Sequence, residues 1–138
     1  MNQLAETRVR TVVERYVDAL DRLDEAVLAS VLSPDFDSGV SGAPTGVAAY
    51  LATLREYRAG FPDLRVRLTT VVAQPSAAAI LTSTSGTHTE VYLGHPPTGR
   101  SFTATGADFL TVVDERIVAR RGVFDTIGML IQLGLYGG

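Results

Sequence analysis

The stretch GTHTEVYLGHPPTGRSFTATGADFLTVV, residues 86–113, decides the fold, because it holds a stiff loop between two predicted strands. The loop, 94–99, begins and ends with glycine and contains two prolines, residues that favour turns. The chain before the loop is rich in Ala, Thr and Ser, and the chain after it carries a carboxylate between apolar neighbours. We predict a β-hairpin with one strand over 77–92 and the next over 101–113.

On either side of this hairpin, periodicity extends the prediction to the whole chain. Alternation predicts strands over 64–73 and 116–125, the second after a tight turn at Asp114-Glu115. Apolar residues three and four positions apart predict helices. The predicted helices are 5–22, 24–32, 47–59 and 127–134, with a loop over 33–46. Helices followed by an antiparallel meander predict the α+β class, here as a single domain over 1–138.

The composition excludes several kinds of chemistry. The 138 residues contain no cysteine, which excludes thiol nucleophiles and cysteine-bound zinc. Two histidines, His88 and His95, are too few for a histidine-rich metal cage. All 12 basic residues are arginine, which argues against Schiff-base chemistry on lysine. The net charge of −3 argues against nucleic acid as a partner, and without a cofactor motif we expect no cofactor and no metal.

No segment suggests a membrane partner. No apolar run approaches the roughly 20 residues that a membrane-spanning helix needs. The first residues, MNQLAETRVR, lack the apolar core of a signal peptide. We therefore expect a cytoplasmic protein.

Three segments resemble one family of enzymes. FPDLRV (61–66), GTHTEVYLGHPPTGRSF (86–102) and FDTIGMLIQLG (124–134) are similar to the SnoaL-like polyketide cyclase family of the nuclear-transport-factor-2-like superfamily. The resemblance implies a cone-shaped, curved antiparallel sheet around a pocket, with the N-terminal helices closing one side. It also implies a homodimer formed through the outer sheet surface, and a polyketide-like small molecule as the substrate.

The resemblance further implies where the family's polar groups fall in this chain. The general acid/base of the cyclases is an inward aspartate on the last strand, and its position here is Gly122. Pocket positions on the preceding strand fall on Gly106 and Asp108, and a polar contact in the first loop falls near Ser38. Glycine at 106 and 122 would enlarge the cavity and remove acid/base groups. This favours either ring closure driven by the shape of the cavity or proton transfer by Asp108 alone.

Asp108 and His88 are the candidate catalytic residues. Asp108 lies mid-strand, with Ala104 and Gly106 expected on the same inward face, and burial without a partner would raise its pKa toward a value useful for general acid/base work. The alternative is a structural ion pair with Arg120. His88 could polarise a carbonyl or shuttle a proton, or it could form a hydrogen bond that fixes the hairpin.

Four further residues are candidate substrate contacts. Arg120 is expected to point inward, where it would hold a carboxylate or enolate, or pair with Asp108. Tyr16 and Phe124 are the aromatic side chains expected at the pocket. Asp37 is the loop carboxylate that would lie at its rim, and the alternative is that it stabilises a turn or caps a helix.

Other polar and aromatic residues have simpler interpretations. Asp125 directly precedes the closing helix and is interpreted as its N-cap. His95 is interpreted as an exposed loop residue. Tyr50 lies on the apolar side of the third predicted helix and is interpreted as core.

The leading hypothesis is a cofactor-free cyclase or isomerase of natural-product biosynthesis, such as antibiotic biosynthesis, with Asp108 as general acid/base. PTGRS (97–101) is also similar to the limonene-type epoxide hydrolases, and epoxide opening is the second hypothesis. That reaction needs an acid and a base on two sides of the ring, so Asp108 must converge with Asp37 or Glu90. A binding module that kept the pocket and lost the chemistry is the third.

Overall fold

The computed structural model describes residues 2–137, and the four predicted helices are present there with ends shifted by a few residues. Helix α1 packs through its apolar face, since Val9, Val13 and Val17 are at most 3% exposed. This spacing of four matches the periodicity in the sequence. The helices are α1 Asn2–Arg22, α2 Glu25–Val31, α3 Val47–Gly60 and α4 Thr126–Leu133.

Helix α4 is fixed at both ends by capping residues. The Asp125 carboxylate accepts a hydrogen bond of 2.9 Å from the backbone N–H of Gly128, so its interpretation as an N-cap is confirmed. At the other end Gly134 adopts a left-handed conformation with φ of 76°, which glycine reaches without steric cost. The closing helix therefore has a defined position across one end of the sheet.

Five strands form one curved sheet in the order β1-β5-β4-β3-β2. Strands β2 to β5 pair antiparallel, as the meander pattern predicts. The tight turn at Asp114-Glu115 joins β4 and β5, and both residues have positive φ, 50° and 61°. The strands are β1 Leu32–Asp37, β2 Arg65–Gln74, β3 Ala77–Thr87, β4 Ser101–Val113 and β5 Arg116–Phe124.

Strand β1 corrects the prediction of a loop over 33–46, and it makes the sheet mixed instead of purely antiparallel. It pairs parallel with β5, with Leu32 opposite Ile117 and Asp37 opposite Ala119. The burial of Phe36, which exposes none of its surface, holds this segment against the core. Pro34 is compatible with a strand at the edge of the sheet, where the backbone pairs with a neighbour on one side.

The hairpin loop starts earlier than predicted, because β3 ends at Thr87 and not at residue 92. His88 closes the loop through two backbone hydrogen bonds of 2.9 Å, from its N–H to the carbonyl of Arg100 and from the N–H of Gly99 to its carbonyl. Leu93 takes a positive φ of 47° beside Gly94 at 79°, so the chain folds back on itself there. The loop is thus a compact extension beyond the paired strands.

Two apolar clusters leave a space between them on the concave face of the sheet. The larger cluster joins α1, α2 and α3 to the sheet, and the smaller one joins Phe61 and Phe102 to α4 through Met129 and Leu133. The space between the clusters is the candidate site. Among the described residues, no helix combines the length and apolar character needed to span a membrane.

Candidate active site

A cavity of about 250 Å³ lies between α1, α3 and the concave face of the sheet. Its walls are mostly apolar, with a small number of polar groups, as is usual for small-molecule sites. The apolar wall includes Leu20, Leu54, Leu64, Val66 and Phe124, and the polar groups include Tyr16, Tyr50, Thr82, Thr84, Asp108 and Arg120.

Strand register explains why these polar groups share one face. Thr82 lies opposite Gly106 and Thr84 opposite Ala104, while Gly106 in turn lies opposite Phe124. Since side chains alternate between faces along a strand, residues paired in this way point to the same side. The inward face predicted for this part of β3 and β4 is confirmed.

Asp108 and Arg120 form an ion pair inside the cavity. Arg120 Nε lies 3.0 Å from Asp108 Oδ1, and the side chains are 21% and 11% exposed. Asp108 Oδ1 is buried and accepts no aligned hydrogen bond from the described residues, so this contact is an attraction between charges without good N–H direction. The alternative considered from the sequence, a pair between these two residues, is the arrangement present, and Asp108 is not unpaired.

Burial and pairing act on Asp108 in opposite directions. Burial raises the pKa of the Asp108 carboxyl, and the Arg120 guanidinium opposes this rise without cancelling it. Arg120 is itself held in place, because its Nη1 donates a hydrogen bond of 3.1 Å to the carbonyl of Ser38. The site therefore contains a carboxylate that binds protons more readily than an exposed aspartate does, beside a fixed cation.

Gly122 provides the room for this pair. It lies directly opposite Asp108 in the ladder between β4 and β5. A Cβ atom at 122 would collide with Asp108 Oδ1 and would lie 2.7 Å from Arg120 Nη2. The Asp108 carboxylate thus occupies the space that a side chain at position 122 would need.

Tyr50 is a site residue that the sequence analysis missed. Its hydroxyl lies 2.6 Å from the hydroxyl of Tyr16, and both tyrosines line the cavity. Tyr16 exposes none of its surface, whereas Tyr50 is half-buried. A usable signal exists in the sequence: a tyrosine on the buried face of a helix needs a partner for its hydroxyl.

His88 lies outside the cavity wall. Its side chain is fully buried, packs against Phe61 with ring centroids 5.4 Å apart, and has Nδ1 3.1 Å from Thr98 Oγ1. Nδ1 also accepts a hydrogen bond of 3.3 Å from the Thr98 N–H. These contacts match the alternative interpretation, in which His88 fixes the hairpin loop.

The other carboxylates do not converge on Asp108. Asp37 forms an exposed ion pair with Arg121, 3.2 Å apart, and does not line the cavity. Glu90 and His95 are exposed in the hairpin loop. The arrangement that epoxide opening would need, Asp108 together with Asp37 or Glu90, is therefore absent from residues 2–137. That part of the chain also holds no cluster of three or more metal-ligating side chains.

Comparison with known proteins assigns this architecture to a family. The model of the SnoaL-like polyketide cyclase family matches residues 10–133. The chain belongs to the SnoaL-like polyketide cyclase family. The resemblance inferred from the sequence is thereby confirmed, as is the α+β fold with a curved sheet.

Solved structures of three proteins from Streptomyces species share this fold. TsrD from Streptomyces laurentii has a TM-score of 0.86 at 23% identity, covering 94% of this chain and 96% of its own. IdmH from Streptomyces antibioticus, described as a candidate polyketide cyclase, has a TM-score of 0.80 at 28% identity, with 91% and 98% covered. AclR from Streptomyces galilaeus, described as a candidate hydroxylase, has a TM-score of 0.85 at 21% identity, with 96% and 89% covered. None of the curated protein sequences compared with the chain matches it.

Gly122→Ala tests whether Asp108 fills the space beside position 122. We expect it to lower the free energy of unfolding by about 1–3 kcal/mol, the usual cost of overpacking. Combined with Asp108→Ala it should cost less than the sum of the single changes, because the collision is gone. Urea denaturation of the four proteins measures this coupling.

Asp35→Ala is the matched control, since Asp35 is an exposed carboxylate outside the cavity wall. Its effect should simply add to that of Gly122→Ala. Additive effects of Gly122→Ala and Asp108→Ala would contradict the conclusion that the Asp108 carboxylate fills the space beside position 122.

Proposed function

We propose that this protein is a cofactor-free cyclase or isomerase that acts on a polyketide-like intermediate. The observation that carries the proposal is the Asp108–Arg120 pair at 3.0 Å inside an otherwise mostly apolar cavity. Membership of the SnoaL-like polyketide cyclase family supports a small-molecule substrate of this class. The fold alone would not decide the reaction, so the argument depends on the site.

Asp108 is the general base and later the general acid in this proposal. Its carboxylate takes a proton from a carbon beside a carbonyl group of the substrate. The electron pair of that C–H bond forms the double bond of an enolate, and the carbonyl π electrons move to oxygen. In cyclisation the enolate carbon forms a C–C bond to a second carbonyl carbon, the π electrons of that carbonyl move to its oxygen, and Asp108 gives its proton to the resulting alkoxide. In isomerisation Asp108 instead gives the proton to a different carbon of the extended enolate.

The surroundings of Asp108 suit both halves of that cycle. Burial raises its pKa, which makes the carboxylate a better proton acceptor, and Arg120 keeps the charged form accessible. Once Asp108 is protonated, the Arg120 guanidinium has lost its anionic partner and can stabilise the enolate oxygen. The hydrogen bond from Arg120 to the Ser38 carbonyl keeps the cation in position during this exchange.

The position of the carboxylate also supports an acid/base role. The resemblance to the cyclases puts their general acid/base at residue 122, where this chain has glycine. The Asp108 carboxylate reaches across from the neighbouring strand into the space beside that position. We propose that β4 supplies, through Asp108, the carboxylate that the related cyclases carry on their last strand, which corresponds to β5.

Asp108→Asn should lower the turnover rate by at least about 100-fold, because the amide cannot accept the proton. The substrate for the assay comes from disrupting the gene and isolating the compound that accumulates. Purified variants are then compared by chromatography and mass spectrometry. Asp35→Asn, an exposed carboxylate outside the cavity, is the control and should leave turnover unchanged.

If the position of the carboxylate matters more than the strand that carries it, moving it to residue 122 should restore turnover. Asp108→Gly combined with Gly122→Asp should recover a measurable part of the turnover that Asp108→Gly loses, since the carboxylate returns to the same region from the opposite strand. Full turnover by Asp108→Asn would remove the acid/base role. A product of unchanged mass supports cyclisation or isomerisation, whereas gain of a water or an oxygen atom, or binding without conversion, contradicts it.

A homodimer through the outer sheet surface is also part of the proposal. On that face Leu81, Ala107 and Val123 are neighbours across three strands, beside Phe109. Phe109 is 71% exposed and Val123 72%, an apolar surface that a second copy of the chain would cover. The resemblance to the family implies the same surface.

Phe109→Glu should convert the dimer to a monomer, because it would place a carboxylate in an apolar contact between copies. Light scattering coupled to size-exclusion chromatography measures the mass in solution. Leu4→Glu is the matched control, since Leu4 is an apolar residue that is 61% exposed and belongs to α1, not to the sheet. A wild-type monomer, or a dimer that survives Phe109→Glu, would contradict this surface.

A further inference from the structure

Two tyrosine hydroxyls form a short hydrogen-bonded chain in the cavity wall. The Tyr16 and Tyr50 hydroxyl oxygens are 2.6 Å apart. Tyr16 comes from the middle of α1 and exposes none of its surface, whereas Tyr50 comes from the first turn of α3 and is half-buried. Two helices therefore bring the hydroxyls together at the wall that also contains Asp108 and Arg120.

Either hydroxyl can donate in this pair, and the complete burial of Tyr16 favours Tyr16 as the donor. Within residues 2–137, the Tyr16 hydroxyl has no hydrogen-bond partner other than Tyr50. If Tyr50 donated to Tyr16, the Tyr16 proton would be buried without an acceptor, at a cost of about 1–3 kcal/mol. With Tyr16 as the donor to Tyr50, the proton of the Tyr50 hydroxyl is left free to point into the cavity.

Packing against a buried aromatic ring holds the ring of Tyr50 in place. It packs against Phe36 with ring centroids 5.0 Å apart, and Phe36 exposes none of its surface. Burial raises the pKa of Tyr50, so its hydroxyl keeps its proton at neutral pH. The charges of Arg120 and Asp108 both act on the ionisation of Tyr50, so these groups share one electrostatic environment.

We infer that Tyr50 donates a hydrogen bond to the reacting oxygen of the substrate, with Tyr16 as its positioning residue. The ligand class is then an enolisable ketone or a phenol, whose oxygen becomes negative at this end of the cavity. The inference rests on the proposed function for the proton transfer to Asp108. It adds a catalytic residue and specifies the atom of the substrate that is bound.

The charges balance at this site during the reaction. Before proton transfer the cavity holds anionic Asp108, cationic Arg120 and a neutral carbonyl group. Afterwards Asp108 is neutral and the substrate oxygen carries the negative charge, so the net charge is unchanged. A donor aimed at the place where charge develops stabilises the enolate more than the ketone. Tyr50 and Arg120 would supply two such interactions.

The test uses a phenolate as a stable copy of the enolate. Asp108→Asn imitates the protonated carboxyl, and 4-nitrophenolate, followed by its visible absorption, is titrated into that variant. A cavity of about 150 Å³ suffices for benzene, so the cavity of about 250 Å³ has room for one substituted ring. Tyr50→Phe, Tyr16→Phe and Tyr92→Phe are each added to Asp108→Asn.

Tyr50→Phe should weaken 4-nitrophenolate binding by about tenfold or more, the value of one hydrogen bond to a charged group. Tyr16→Phe should cause a smaller loss, because Tyr50 keeps its own proton. Tyr92→Phe removes a hydroxyl outside the cavity wall and should have no effect. The neutral ether 4-nitroanisole should bind almost equally well with and without the Tyr50→Phe change. Equal 4-nitrophenolate binding by Tyr50→Phe would overturn the inference.

A second measurement, by NMR, uses the wild-type protein and needs no substitution at position 50. The hydroxyl proton of Tyr50, observed by NMR, should move downfield when 4-nitrophenol binds, and an unchanged resonance would overturn the inference. Neither measurement requires turnover. If Asp108→Asn loses turnover but Tyr50 has no role in binding, this inference is wrong and the proposed function stands. If Asp108→Asn keeps turnover but Tyr50 contributes to binding, the proposed function is wrong and the role of Tyr50 in binding stands.

Discussion

The site depends on one ion pair, because a carboxylate placed alone inside an apolar cavity carries a high electrostatic cost. An isolated buried charge is far more costly than a paired one, and Asp108 is paired with Arg120 from the adjacent strand. The pair in turn depends on glycine at 122, because any side chain there would collide with the carboxylate. It also depends on the first loop, where the Ser38 carbonyl holds the guanidinium. One interaction thus links β4, β5 and the loop after β1.

The resemblance to the cyclases implies their acid/base at position 122, where this chain has glycine, and the Asp108–Arg120 pair is the replacement proposed here. A carboxylate that is both buried and paired is a moderate base, since burial and the cation act on its pKa in opposite directions. Taking up a proton frees Arg120 to face a new anion. With the Tyr16–Tyr50 hydroxyls on the same wall, the polar end of the cavity can receive a proton and support an anionic oxygen.

Local patterns were sufficient to predict most of the fold, and they failed where a distant contact decides the structure. The periodicity of α1 and the inward alternation of β3 and β4 depend on neighbours in sequence, and both were predicted. Strand β1 resembles a loop in composition and becomes a strand because Phe36 is buried and β5 lies beside it. For the site, Asp108 and Arg120 could be placed in the cavity from strand alternation, and Tyr16 and Phe124 were expected there as aromatic residues. The pairing of Tyr50 with Tyr16 joins residues 34 positions apart, and the contact of His88 with the loop depends on Thr98.

The central claim is that Asp108 stays a proton acceptor of raised pKa although it is paired with Arg120. The most direct measurement is a pH titration of the Asp108 side-chain carboxyl by carbon-13 NMR in the folded protein. The account predicts a midpoint above the ordinary aspartate value of 3.8, because burial outweighs the attraction of the guanidinium. A midpoint below that value would mean that the ion pair dominates, and Asp108 would then be a structural anion and not the base of this site.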